Sequence, residues 1–197
     1  LSATAQPKEP SRRLFFGLWP DAAASAALAA ATREAVSASA ARAVPLQNLH
    51  ATLAFLGSVS ERRIAELEDI ARRVAGTFVP PCPLMLQFDE LAHWVGPKIL
   101  VALGAGESPA AQALAHVLKS ETQAAGFAPD LKAFHAHVTL ARKVESAPAV
   151  AMTRPVQWRF DAFALIESRT AADGAAYSVR QSYPLVKQEK THTQAQN

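Results

Sequence analysis

Two stretches decide how this chain is read: His50-Ala51-Thr52-Leu53-Ala54-Phe55-Leu56-Gly57 and His137-Val138-Thr139-Leu140-Ala141-Arg142. Both begin His-x-Thr-Leu-Ala. In an extended strand, alternate side chains share a face. His50 is therefore expected to point with Thr52, and His137 with Thr139, while Leu53 and Leu140 turn the other way into apolar packing. By the same alternation Arg142, three residues after Thr139, is expected on the opposite face, so that it reaches the motif from the strand end.

Working outward, each motif ends a strand-helix-strand unit. In the first unit, residues 14–19 read as a strand buried on both faces. Pro20-Asp21 opens a helix to about Val36, since proline suits a first turn and an early acid suits the positive end of the helix dipole. A strand over 50–56 follows, closed by Gly57. In the second unit, residues 98–103 read as a strand. Ser108-Pro109 caps and opens a helix to Ala125, Gly126 stops it, and residues 135–142 form the returning strand. His50 lies 35 positions after Phe15, and His137 lies 37 after Leu100. Two units of nearly equal spacing predict an internal duplication with a pseudo-two-fold arrangement.

The remaining segments complete an α+β pattern. Ser60 is expected to cap a helix whose apolar positions Ile64, Leu67, Ala71 and Val74 fall at helical spacing, with Gly76 as its stop. Arg62, Arg63, Arg72 and Arg73, interleaved with acids, read as its solvated face. Strands are expected over 84–88, 91–94, 158–168 and 177–183, the last two joined by a hairpin at Asp173-Gly174. Residues 1–11 and 187–197 are polar and aperiodic and read as disordered tails, leaving 12–186 as one folded domain.

Composition narrows the function classes. Of 197 residues, half are hydrophobic and 19% charged, a globular balance that excludes disorder as the main state. The formal charge of +3 permits an anionic partner but is too small for nucleic-acid binding by charge alone. The one cysteine, Cys82 between two prolines, excludes an intramolecular disulfide and a multi-cysteine metal site and reads as an apolar filler. No apolar run approaches the roughly 18 residues of a membrane span. The run from Leu14 to Trp19 after Arg12-Arg13 is too short for a secretory core, so a cytoplasmic monomer is the expectation.

Two imidazoles and two hydroxyls meeting across a pseudo-two-fold make a specific tool. Imidazole takes a proton, and imidazolium gives one, near neutral pH. Displacement at phosphorus needs a base on the entering oxygen and an acid on the leaving oxygen, roughly in line. Hydroxyls can donate to the non-bridging phosphate oxygens. None of this chemistry requires a metal or a cofactor.

On these residues the chain resembles the 2H phosphoesterase superfamily and, within it, the bacterial and archaeal RNA 2′,3′-cyclic phosphodiesterases, also called LigT-like or 2′-5′ RNA ligase proteins. The resemblance spans about residues 12–186. Its strongest parts are Asn48 to Gly57 and His137 to Arg142. Arg13-Leu14-Phe15-Phe16 with Trp19-Pro20, Leu165, Glu167-Ser168, Gly174 and Tyr177 support it. It implies a bilobal α+β fold with antiparallel sheets around a central cleft. It also implies hydrolysis of ribose 2′,3′-cyclic phosphates, as RNA termini or cyclic nucleotides, to 2′-phosphomonoesters, together with reversible 2′-5′ RNA ligation. Carried over, His50 is the proton donor, His137 the proton acceptor, and Thr52, Thr139 and Arg142 bind substrate. The family often has proline before the second motif histidine, where this chain has Ala136. His135 is thereby expected to share a face with His137 and Thr139, if the strand starts early enough.

Three other readings fit the same letters. His135, His137 and His50 could ligate a metal, although no acid adjoins the motifs. The motifs could hold an RNA end without turning it over, with Phe15, Trp19, Trp94 or Trp158 stacking bases. The same reacting centre could serve a 2′-5′ oligoadenylate or an ADP-ribose cyclic phosphate. His93, His116 and His192 read as non-catalytic.

Overall fold

The duplication expected from spacing is built as two antiparallel sheets, with one motif on an edge strand of the first and the other on an inner strand of the second. The structure, a computed structural model, describes residues 9–80, 84–104, 106, 108–171 and 174–185. Cys82, Asp173, residues 1–8 of the first predicted tail and the whole of the second, His192 included, lie outside the described residues. In chain order the elements are β1 (Ser11–Leu18), α1 (Ala22–Ala38), β2 (Arg42–Ala43), β3 (Ala51–Ser60), α2 (Ile64–Thr77), β4 (Leu84–Phe88), β5 (Glu90–Trp94), β6 (Ile99–Leu103), α3 (Pro109–Ala124), β7 (His137–Arg142), β8 (Val156–Phe160), β9 (Ala162–Ala171) and β10 (Gly174–Pro184).

One sheet has the order β10-β9-β1-β3 and the other β2-β7-β6-β5, with β4 and β8 forming a separate ribbon. Every described strand pair is antiparallel. The two units match: β1 pairs with β3 around α1, and β6 pairs with β7 around α3. The helices tie the halves together, because α1 packs on β7 and β8 whereas α3 packs on β3, β4 and α2. Trp158 of β8 is fully buried there, and its Nε1 donates to the Ala24 carbonyl of α1 at 3.0 Å. No helix among the described residues is long and apolar enough to cross a membrane.

Several local expectations change. Pro20 precedes the helix rather than sitting in its first turn, and Asp21 caps α1 by accepting from the Ala24 amide at 2.7 Å. Ser60 does not cap a helix: a short 3-10 turn intervenes at Glu61–Arg63, and the Ser60 hydroxyl donates to Glu9 instead. Gly76 lies inside α2, which runs to Thr77, so no left-handed glycine ends it. Gly126 does stop α3, at φ +78°. Ser108 precedes α3 without a side-chain cap, and Pro109 takes the first helical position as expected. The strand expected over 158–168 is two strands in different sheets, β8 and β9, broken at Asp161. Arg63 is more than a solvated residue. Its guanidinium lies 3.9 Å from the Phe127 ring centroid and donates to the Ala125 carbonyl at 2.6 Å, fastening the end of α3.

The first sheet has two apolar faces. Leu14, Phe16 and Leu18 enter the main core, whereas Phe15, Ala164 and Ile166 form a smaller cluster flanked by Trp19, Phe55 and Tyr177. On the core side of β9, Glu167 is buried, its side chain 3% exposed. It accepts from Arg169 at 2.8 Å, and from Arg12 and Arg180 at 3.3 Å each. Chiefly the Arg169 bond, reinforced by the other two guanidinium groups, holds its carboxyl below the usual range. A depressed carboxylate stabilises the fold above its unfolded pKa, and this contribution is lost as pH falls through the folded value. Glu167→Gln should therefore lower stability near pH 7 by about 1–3 kcal/mol in denaturant titration. The gap to the parent chain should narrow on acidification through the carboxylate range. A gap independent of pH would show that the charge is not what matters.

Candidate active site

Sequence alternation alone puts Arg142 on the wrong face, and a pair of β-bulges explains why. Along β1–β3 the register passes from Gly17 opposite Thr52 to Phe16 opposite Ala54, skipping Leu53. Along β6–β7 it passes from Val101 opposite Thr139 to Leu100 opposite Ala141, skipping Leu140. The leucine of each motif is the extra residue, so two consecutive side chains are buried in each strand and the alternation changes phase. The third residue after each threonine returns to the cleft side. That residue is Phe55 in the first half and Arg142 in the second. Arg142 therefore shares a face with His137 and Thr139, contrary to the expectation. Opposite Thr52, a Cβ on Gly17 would approach the Ala51 carbonyl to 3.0 Å and Ile166 to 3.1 Å. Glycine there lets β1 press against the motif.

The two imidazoles are held alike. His50 immediately precedes β3 and its Nδ1 lies 2.7 Å from the carbonyl of Asn48, two residues earlier. His137 opens β7 and its Nδ1 lies 2.8 Å from the carbonyl of His135, again two residues earlier. A carbonyl only accepts, so Nδ1 carries the proton in each neutral ring and Nε2 keeps its lone pair. Neither contact has a side-chain signature, and sequence reasoning missed both. His135 lies just before the strand, yet it lines the same cavity as His137, as alternation expects; its side chain is exposed and its backbone carbonyl holds the His137 ring.

The settings of the rings differ. His50 stacks on Trp19 at 5.4 Å with 9° between planes, and Phe15 and Tyr177 lie at 5.0 and 4.8 Å. His137 has Trp94 at 4.7 Å. Burial pushes His50 down to about 4, with Arg142 and His137 adding to the shift against the Asn48 bond. Burial likewise lowers His137. Tyr177 bridges the halves: its hydroxyl accepts from Arg142 Nη2 at 3.3 Å while its ring edge meets His50. The sequence marked Tyr177 for its resemblance, without a role.

Two cavities of about 680 Å³ each open at the motifs. Thr52 and His137, one from each half, line the first together with Phe55, Trp94 and His135. Arg142, Asn48 and Tyr177 line the second. His50 is fastened to Asn48 and packed on Tyr177, both of the second cavity, and lies two residues from Thr52 of the first. Thr139 is half-buried on β7 between His137 and Arg142. Among the described residues, no group of three or more His, Cys, Asp or Glu side chains is placed to hold a metal ion. Of the aromatics considered for base stacking, Phe15 and Trp158 are buried, whereas Trp19 and Trp94 lie against the histidines.

Burial thus leaves two neutral rings beside a guanidinium. An anion between them reverses this, since negative charge favours imidazolium. Nitrogen-resolved NMR at pH 7 should show both rings as Nδ1–H tautomers. His50 should titrate near pH 4, and inorganic phosphate should move that value upward. Nε2–H tautomers, or a titration indifferent to phosphate, would contradict the geometry.

The family model of the 2′-5′ RNA ligase superfamily matches residues 19–172. The chain is 34% identical over 110 residues to an RNA 2′,3′-cyclic phosphodiesterase of Escherichia coli K12, covering 55% of this chain and 59% of that protein. It is 32% identical over 121 residues to an RNA 2′,3′-cyclic phosphodiesterase of Archaeoglobus fulgidus, covering 60% and 65%. Both alignments therefore span less than two thirds of the relative. The fold matches E. coli LigT complexed with 3′-AMP at a TM-score of 0.75 and 25% identity, over 90% of this chain and all of that one. It matches a protein of Thermus thermophilus at 0.68 and 25% identity, over 88% and 97%. With both motifs inside the matched region and the architecture shared, the chain belongs to the 2′-5′ RNA ligase superfamily.

Proposed function

We propose that this protein hydrolyses 2′,3′-cyclic phosphates at RNA ends, and in cyclic nucleotides, to 2′-phosphomonoesters by two-histidine acid–base catalysis. The observation that carries the reading is the repeated Nδ1-to-carbonyl bond. It gives each half of the cleft one imidazole in the tautomer that leaves Nε2 for proton transfer. The activity named for the E. coli and A. fulgidus relatives supports the substrate.

In this mechanism Thr52 and Thr139 donate hydrogen bonds to the non-bridging oxygens and Arg142 offsets their charge. Binding of the anion raises the lowered imidazole pKa values, so His50 enters the reaction protonated. Water attacks phosphorus and gives its proton to His137 Nε2 as the new P–O bond forms. The bond to the ribose 3′ oxygen breaks opposite, and His50 Nε2 protonates that oxygen. With a ribose 5′ hydroxyl in place of water, the same transfers join two RNA ends through a 2′-5′ linkage, and microscopic reversibility runs this step in both directions. The enzyme acts as a cytoplasmic monomer without metal or cofactor.

The test is turnover of 2′,3′-cyclic AMP with EDTA present, which should continue and yield the 2′-phosphate. His50→Ala and His137→Ala should each lose about 10²–10⁴-fold in kcat. Because kcat/KM reports the unliganded protein and kcat the complex, both limbs of the kcat profile should lie at higher pH. A 3′-phosphate product would reverse the donor assignment, and loss of activity to EDTA would favour a metal centre.

A further inference from the structure

The two cavities are the same size but differ in charge. The one at the His50 end, so placed because Asn48 and Tyr177 both line it and touch His50, is lined by Arg42, Lys98, Arg142 and Lys143 against a single acid, Glu145. In the one at the His137 end, Lys119 and Lys132 are balanced by Glu90 and Asp130, and Lys119 is engaged by the Lys132 carbonyl. At the His50 end Lys98 is held by Glu145 at 2.8 Å, leaving Arg42, Arg142 and Lys143 as the cation excess.

Two features of the backbone mark the same place. Arg42 of β2 is the direct ladder partner of Arg142 of β7. Like charges directly opposite in a sheet oppose each other, and an anion between them removes the penalty. Lys98 and Lys143 are two of three described non-glycine residues with positive φ, at 53° and 62°. Such conformations persist where surrounding structure over-determines them, and they gather at ligand sites.

We propose that the Arg42–Arg142–Lys143 cavity seats the RNA strand that carries the cyclic phosphate, by binding the phosphodiester on the 5′ side of the terminal ribose. This rests on the phosphodiesterase reading above. If His50 protonates the leaving 3′ oxygen, the ribose lies toward the His50 end and the strand continues into the basic cavity. The attacking water then enters from the charge-balanced cavity beside His137. The protein is therefore an enzyme of oligonucleotide ends more than of cyclic mononucleotides.

Steady-state hydrolysis of an adenylate trinucleotide ending in 2′,3′-cyclic phosphate, compared with 2′,3′-cyclic AMP, tests this. The trinucleotide should show a KM at least about tenfold lower that rises steeply with salt, as phosphate contacts do. The double variant Arg42→Gln with Lys143→Gln should raise the trinucleotide KM about tenfold and flatten its salt dependence. The same variant should leave kcat, and both constants for 2′,3′-cyclic AMP, within about twofold of the parent, and Lys132→Gln should change neither substrate. Equal KM values for both substrates would overturn the proposal alone. So would a trinucleotide defect in Lys132→Gln that is absent from the double variant. Turnover of neither substrate would refute the phosphodiesterase reading, and this one with it.

Discussion

The chemistry of this cleft depends on one hydrogen bond made twice, from a ring Nδ1 to the carbonyl two residues before it. Asn48 supplies it to His50 and His135 to His137. An imidazole that can rotate or change tautomer is a poor proton carrier, because the working nitrogen is then set by solvent. A carbonyl that can only accept removes the choice. It also costs the chain little, since the acceptor is backbone at a strand entrance, where ladder bonding has not yet begun. Its duplication gives both rings the same tautomer, and in the proposed mechanism the difference between acid and base comes from their surroundings. His50 lies in an aromatic wall beside Arg142, and His137 sits nearer open cavity.

The fold serves that bond by bringing two strand entrances together. Each motif strand is paired along its length, so its backbone is fixed. The bulge at Leu53, and its counterpart at Leu140, then twists the strand and returns the next side chain to the cleft. The duplicated position carries Phe55 in one half and Arg142 in the other. The first builds the apolar wall under His50, and Arg13 lies over its ring at 4.6 Å. The second brings charge. The repeat supplies the paired imidazoles, and the difference at the third position after each threonine gives the cleft its polarity.

Much of this was legible in the letters. The repeated His-x-Thr-Leu-Ala and the two similar spacings marked the duplication, and the family resemblance they carry implied the antiparallel sheets. Ile64, Leu67, Ala71 and Val74 marked the buried side of α2. What failed did so for physical reasons. Strict alternation misplaced Arg142 because a bulge depends on pairing register, which no single strand reveals. The 158–168 segment read as one strand because continuous β-propensity conceals a switch of sheet at Asp161. Ser60 and Gly76 suggested helix ends that tertiary contacts set elsewhere. The carbonyls of Asn48 and His135 carry no side-chain signal at all, and Tyr177 meets His50 and Arg142 only through tertiary packing.

The central claim is that the two rings work on opposite sides of one phosphorus atom. The most direct measurement is the stereochemistry of a single turnover. One diastereomer of adenosine 2′,3′-cyclic phosphorothioate, hydrolysed in ¹⁸O-water, should give product inverted at phosphorus, as one in-line displacement requires. Retention would mean two successive displacements through a phosphorylated protein side chain, and would contradict the shared acid–base role of His50 and His137.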